Sequence, residues 1–232
     1  MSQDEPSAEE FGGAARLFPL PDLVMFPHVV QPLHVFEQRY RQLMADALED
    51  DRLIAMALLR PGWEEKYHER PAIHPVVCVG QIQHEQRLPD GRYNLVLHGL
   101  WRARVLREPP PSRLYRVARV EVLPDEPVEE EARAAALQQQ MTDRVRPYFA
   151  GDPPAHERLD RLLERGLPLG TLCDIFSFAL PLGVEVKQEL LEELRVENRV
   201  RLLLRSLDAH APPDPAPAAG TPRRFPPGFS AN

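Results

Sequence analysis

The sequence is short of cysteine, of lysine and of long apolar runs, and each shortage excludes a class of function. Cys78 and Cys173 are the only cysteines in 232 residues. They fall in segments patterned like a buried strand and a buried helix, which suits two reduced core thiols better than a disulfide. A four-cysteine zinc site cannot be built from them. Lys66 and Lys187 are the only lysines, and the remaining Lys+Arg positions are arginine. No Gly-Lys pair occurs, so the phosphate-cradling loop G-x-x-x-x-G-K-[ST] is missing. No apolar run approaches the ~20 residues a membrane helix needs. Residues 1–10 are acidic and polar instead of basic then apolar, which argues against a secretory signal and for the cytoplasm. Positive charge is also in deficit. The formal net charge of -7 opposes general binding to phosphate polymers.

What is present changes character near residue 125. Residues 1–15 are polar with a Gly12-Gly13 pair and read as a flexible leader. Residues 210–232 are rich in Pro, Ala and Gly and read as a disordered tail, because they bury too little apolar surface to offset chain entropy. Between 16 and 125, short apolar runs alternate with Pro and Gly. Residues 17–20 and 23–26 read as a strand interrupted at Pro21-Asp22. Residues 29–35 form another, and Pro32 confines it to a sheet edge or a bulge. Further strands are expected over 53–59, 75–87, 92–106 and 115–123. Leu88-Pro89-Asp90-Gly91 predicts a tight hairpin turn. Pairing Pro89 with Arg92 would set Ile82 opposite Gly99 and His84 opposite Leu97, with Tyr93, Leu95 and Leu97 on one half-buried face. Phe36, Tyr40, Leu43 and Ala47 recur at helical spacing, so one amphipathic helix packs on the sheet.

From 126 to 209 the period is helical. Stripes run through Ala134, Leu137, Met141, Val145 and Tyr148, then Leu159, Leu162 and Leu163, then Leu169, Leu172, Ile175, Phe176 and Ala179. A long final helix is expected from Val186 to Leu207, with a break near Val196. The fold class is therefore α+β, a β-rich half followed by a helical half.

Reactive constellations are hard to find. His84 and His98 are predicted on opposite faces of the hairpin, and His74 and Cys78 lie too far apart along a strand to share a metal. Glu64-Glu65, near Trp63 and Tyr67, lack a carboxylate fixed opposite them. Ser177 has no G-x-S-x-G setting. No catalytic residue, metal site or cofactor is expected. Two surfaces remain. Phe26, Pro27, His28, Phe36, Trp63 and Tyr67 lie in or beside loops and either cap the sheet or anchor a bound peptide. Arg102, Arg104 and Arg116, with Trp101 and Tyr115 interleaved, either form a solvated, ion-paired face or an RNA-binding one.

The order of short motifs resembles one family. Leu17-Phe18-Pro19-Leu20 through Phe26-Pro27, then Pro32 to Tyr40, Val79-Gly80-Gln81-Ile82, Leu88 to Arg92, and Gly99-Leu100-Trp101-Arg102-Ala103-Arg104 are similar to the N-terminal substrate-binding domain of Lon proteases. Leu180-Pro181, Lys187 to Glu192 and Val196 to Val200 continue the likeness. The resemblance implies a PUA-like β pseudobarrel with one packed helix, followed by a helical bundle. It also implies a stand-alone module that binds unfolded or client proteins without unfolding or cutting them. The nucleotide loop is missing, neither lysine has a protease context, and the chain ends where an ATPase would begin. A separate protease would then receive the clients, while RNA binding through the 102–119 arginines is the alternative.

Overall fold

The computed structural model describes residues 6–67 and 69–209. The expected tail at 210–232 lies outside the described residues. Two compact units divide the chain, the first ending at Pro124 and the second beginning at Asp125.

Six strands of the first unit make one mixed sheet: β1 (Ala14–Leu20), β2 (Val30–Val35), β3 (Leu53–Leu58), β4 (Val76–Arg87), β5 (Tyr93–Arg107) and β6 (Arg116–Leu123). The order is β2-β5-β4-β3-β1-β6, and β6 pairs again with β5. Strands β5, β4, β3, β1 and β6 thus close on themselves, which removes their free edges. The length of β5 makes this work. Its first half, Tyr93 to His98, pairs with β2, and its second half, Arg102 to Arg107, pairs with β6. Only β1 with β3 is parallel. The interior of a five-stranded ring is narrow, so small side chains fill it. Ala15, Ala55, Ala57, Ala103 and Ala118 pack there with Leu17, Leu53, Val77, Val79 and Val120. Strand β3 is buried at every position, as its unbroken apolar run requires. Helix α1 (Gln38–Leu48) turns Tyr40, Leu43, Met44 and Ala47 inward, and Tyr40 meets Phe18 of β1 with ring centroids 4.2 Å apart.

Pro32 sits on the edge strand β2, opposite Val96. Val29 faces β5 through a hydrogen bond from Gly99. Alternation then turns the main chain of Val30, Pro32 and His34 away from β5, so the proline costs no ladder bond.

The second unit contains α2 (Glu131–Val145), a 3-10 turn (Arg146–Phe149), α3 (Pro153–Leu163), α4 (Leu169–Ala179), α5 (Val184–Glu192) and α6 (Val196–Asp208). Asp152 caps α3 by accepting from the Ala155 N–H at 3.2 Å. Helix α6 buries Val196, Arg199, Val200, Leu203 and Leu207, a stripe at helical spacing that packs on α2, α4 and α5. No helix among the described residues is long and apolar enough to cross a membrane.

Three expectations are corrected. The leader does not run to residue 15, because Ala14 and Ala15 are already in β1 and pair with β6. Residues 24–26 are buried and Leu23 is half-buried, but none of them is in a strand. The hairpin pairs Leu88 with Arg92, not Pro89 with Arg92. The Leu88 N–H donates to the Arg92 carbonyl at 2.8 Å and the Gly91 N–H to the Leu88 carbonyl at 2.9 Å. Gly91 alone in this turn has positive φ, at 82°. A three-residue turn with proline first and glycine left-handed meets both residues' preferences. Ile82 therefore faces Leu97 and His84 faces Val96, with bulges beside Gly80 and between Ile82 and His84. His84 and His98 then share a face, two positions apart, contrary to the expected parity. Tyr93, Leu95 and Leu97 remain together and buried. The expected break near Val196 is present, with α5 ending at Glu192 and α6 starting at Val196. Leu194 and Val196 bond to the backbone of Glu126 at 2.9 and 3.0 Å, which an uninterrupted helix would not allow.

Candidate functional site

The structure scatters the predicted peptide anchors. Phe26 is fully buried and Pro27 is buried, so both belong to the core and not to a binding surface. The Phe26 carbonyl lies against Gly99, where a Cβ would stand only 2.1 Å from that oxygen. His28 is exposed and holds φ of 64°. Its N–H donates to the Gly99 carbonyl at 2.8 Å, and the Gly99 N–H donates to the Val29 carbonyl at 2.9 Å. This is a β-bulge whose left-handed position, usually glycine, holds histidine. Phe36 is exposed, and its ring stacks with that of His34. Trp63 and Tyr67 are half-buried and meet edge to face at 5.5 Å.

The arginine face expected for RNA is not presented as one surface. Arg102 and Tyr115 are buried. Arg116 is held by a two-pronged bond to Glu108 and a 2.7 Å bond to the Pro71 carbonyl. Trp101 packs against Phe11 at 5.7 Å. Arg104 is exposed. Burial and pairing take the stacking ring of Tyr115 and two of the three guanidinium groups out of play.

A cleft of about 570 Å³ opens instead where α1, the 59–71 segment and the 111–116 segment converge in the first unit. Pro19, Tyr40 and Leu59 line it with Arg39, Tyr67 and Leu114, among others. Tyr40 is fixed by donating to the Pro19 carbonyl at 3.2 Å. The Arg39 guanidinium lies over both the Tyr40 and Tyr67 rings, 4.6 and 4.7 Å from their centroids. Arg39 donates to Glu37 at 3.0 Å and to the Tyr67 carbonyl at 3.3 Å, and the Tyr67 hydroxyl donates to Glu37 at 2.7 Å. Glu37 therefore ties the start of α1 to the 59–71 loop. On the far wall, Tyr115 donates to Asp46 of α1 at 2.7 Å and the Leu114 N–H donates to Gln42 at 2.9 Å. These bonds hold the Leu114 side chain 58% exposed at the rim. A second, shallower cleft of about 460 Å³ continues past Leu114 to Arg41, Arg87 and Tyr93. Phe36, Leu33 and Leu23 line a smaller one that shares Tyr40.

The cleft's three tyrosine hydroxyls are shifted in one direction. Burial, then the bond to Asp46, pushes Tyr115 up to about 12. Burial and Glu37 likewise raise Tyr67, and burial raises Tyr40. All three hydroxyls stay protonated near neutral pH and act as hydrogen-bond donors. Among the described residues, no group of three His, Cys, Asp or Glu side chains could hold a metal ion.

Arg39, Arg41, Arg70, Arg87 and Leu114 were not expected as site residues, and Arg113 was expected only within the 102–119 arginine cluster. Arg39 and Arg41 flank the core-facing Tyr40 on α1, which was a signal. Leu114 was signalled only by being an apolar residue in a proline-rich connection, whose approach to α1 is a tertiary fact.

Comparison with known proteins identifies a family and a shared fold. A family model described as the ATP-dependent protease La (LON) substrate-binding domain matches residues 14–209. The chain is 27% identical over 200 residues to a Lon protease of Anaeromyxobacter dehalogenans, covering 86% of this chain and 24% of that protein. It is 30% identical over 190 residues to a Lon protease of Geobacter metallireducens, covering 80% and 22%. The chain thus spans about a quarter of the length of the Lon proteases it matches. Two solved structures share the fold. A Lon N-terminal domain protein from Xanthomonas campestris superposes with a TM-score of 0.60 at 23% identity, covering 83% of this chain and 97% of that one. The N-terminal domain of a Mycobacterium avium complex Lon protease gives 0.65 at 17%, covering 85% and 100%. With a family match that runs from β1 to the end of α6, the chain belongs to the Lon substrate-binding domain family.

Proposed function

We propose that this chain is a non-catalytic, cytoplasmic protein-binding module that captures exposed apolar or extended segments of client proteins and passes them to a separate protease. In this reading the closed sheet plays the PUA-like part and the second unit the helical-bundle part that the family resemblance implies. The observation that carries it is the family match across both units, joined to a first-unit cleft with aromatic walls and an exposed leucine at its rim. Apolar rims suit unfolded segments, which expose such side chains and bind each site weakly. The three cleft tyrosines stay protonated, and the sequence holds no nucleotide loop, which supports binding without bond breaking.

The test uses a reduced, carbamidomethylated polypeptide that cannot refold, beside its native form. Fluorescence anisotropy should show binding to the unfolded form alone, weakened by Leu114→Ser and Tyr67→Ala. The unfolded chain should stay intact on incubation with ATP. Equal affinity for native and unfolded forms, or cleavage of either, would overturn the proposal.

A further inference from the structure

The two clefts that meet at Leu114 are lined very unevenly in charge. Arg39, Arg70, Arg113 and Arg116 line the first and Arg41 and Arg87 the second, against Glu69 as the only lining carboxylate among the described residues. This stands in a chain whose formal net charge is -7. The carboxylates that balance these arginines sit behind them: Glu37 and Glu108 brace Arg39 and Arg116, and Asp46 lies 3.6 Å from Arg113. Their side chains are only 22–24% exposed. Arg113 is 54% exposed, and neither Arg41 nor Arg87 has a carboxylate within ion-pair distance among the described residues. Arg41 is held against the hairpin at Gly91, where a Cβ would approach its guanidinium at 2.3 Å. Arg87 lies 6.0 Å from the centroid of the Tyr93 ring. Arg41 thus also feels the Asp90 carboxylate of the hairpin, short of an ion pair, whereas Arg87 is placed by the Tyr93 ring. Between the two sets stands Leu114, its backbone tied to α1 and its side chain turned outward.

We infer that this surface selects acidic client segments: extended polypeptide in which Asp or Glu side chains flank an apolar residue, with the apolar group on Leu114 and the carboxylates on Arg41, Arg87 and Arg113. The inference rests on the protein-binding reading above and adds to it the chemistry of the segment. An unpaired guanidinium at a rim attracts a carboxylate and offers it two parallel donors. A lysine-bearing segment meets like charge from Arg41, Arg87 and the exposed Arg113 and is disfavoured. Partial exposure keeps each contact modest, so selectivity comes from several contacts acting together.

The experiment compares three neutral-dye-labelled peptides of one length that share a central Leu-Phe pair. Their flanking positions are Glu, Gln or Lys. The full chain should bind the Glu peptide about fivefold to tenfold more tightly than the Gln peptide, and the Lys peptide more weakly than both. Raising salt from about 0.05 M to about 0.5 M should shrink the gap, since surface charges are then screened. Arg41→Gln/Arg87→Gln breaks no ion pair of the fold. It should shrink the preference for the Glu over the Gln peptide, leaving only the share due to Arg113, while the Gln peptide's own affinity stays unchanged. Equal binding of Glu and Gln peptides by the unaltered chain would overturn this inference while leaving the protein-binding reading intact. Binding of none of the three would remove both. Displacement of the Glu peptide by single-stranded RNA at lower concentration than by unlabelled peptide would also overturn it, in favour of a nucleic-acid ligand.

Discussion

Replacing Arg199 tests the packing logic of the second unit. Arg199 has no exposed side-chain surface and Asp174, beside it, has 1%. The guanidinium donates to both Asp125 oxygens, and at 3.0 Å to the Glu193 carbonyl. Its Nε lies 3.3 Å from Asp174. Burial works against the charge, but the bonds to Asp125 and the carboxylate of Asp174 outweigh it and hold the pKa above its ordinary value. The cluster joins the start of the unit, α4 and α6, and pins the break between α5 and α6. Gly170 leaves room for it, since a Cβ there would meet Asp125 at 2.8 Å and Arg199 at 3.0 Å. Arg199→Met keeps the bulk but strips the buried carboxylate of this guanidinium. The expected loss is about 3–5 kcal/mol, a large share of the roughly 5–15 kcal/mol that a domain has. Arg199→Met/Asp174→Leu removes the charge along with its partner and should recover most of it. Asp125→Asn should cost less than Asp174→Asn, because the Asp125 side chain is 33% exposed. Urea titration followed by far-UV circular dichroism reads the helices, while Trp63 and Trp101 report on the first unit by fluorescence. A loss below about 1 kcal/mol for Arg199→Met, or no recovery in the double variant, would refute the reasoning.

Two further predictions concern the first unit. Gly99→Ala should destabilise it by about 3 kcal/mol or more, because the Phe26 carbonyl cannot retreat from a Cβ at 2.1 Å, whereas His28→Gly should stabilise it by roughly 1 kcal/mol by relieving a left-handed residue; thermal melts of both variants check the pair. Tyr115 ionises at about 12 in the folded chain, against an ordinary 10.0. The folded state keeps this proton longer than the unfolded one, so its stabilisation is full below about pH 10 and is lost as pH rises through about 12. Stability measured by urea across that window should fall less steeply in Tyr115→Phe than in the unaltered chain.

Local chemistry was legible in the sequence wherever one element decided its own fate. The apolar period placed Tyr40, Leu43 and Ala47 on the inner face of α1, and alternation placed Tyr93, Leu95 and Leu97 inward on β5. Pro32 marked the edge strand correctly. Failures came where two distant segments share a decision. The hairpin register turned on whether Asp90 or only Gly91 takes positive φ. The break near Val196 was legible, but not its partner Glu126, which bonds to the backbone of Leu194 and Val196. Phe26 looked like a loop anchor because its burial is set by Gly99, far along the chain. Arg102 looked like a surface cation, yet it is buried. The cleft itself was not foreseen as a unit, since Arg39, Tyr67 and Leu114 come together only through bonds made by Glu37 and Gln42.

The central claim is that client segments lie along the first unit's cleft. Photo-crosslinking tests it most directly, with a photoreactive side chain placed at Leu114, at Tyr67 or, as a control in the second unit, at exposed Arg158. The account predicts covalent capture of an unfolded client at the first two positions and little at the third. Capture confined to position 158, with none at 114 or 67, would contradict it.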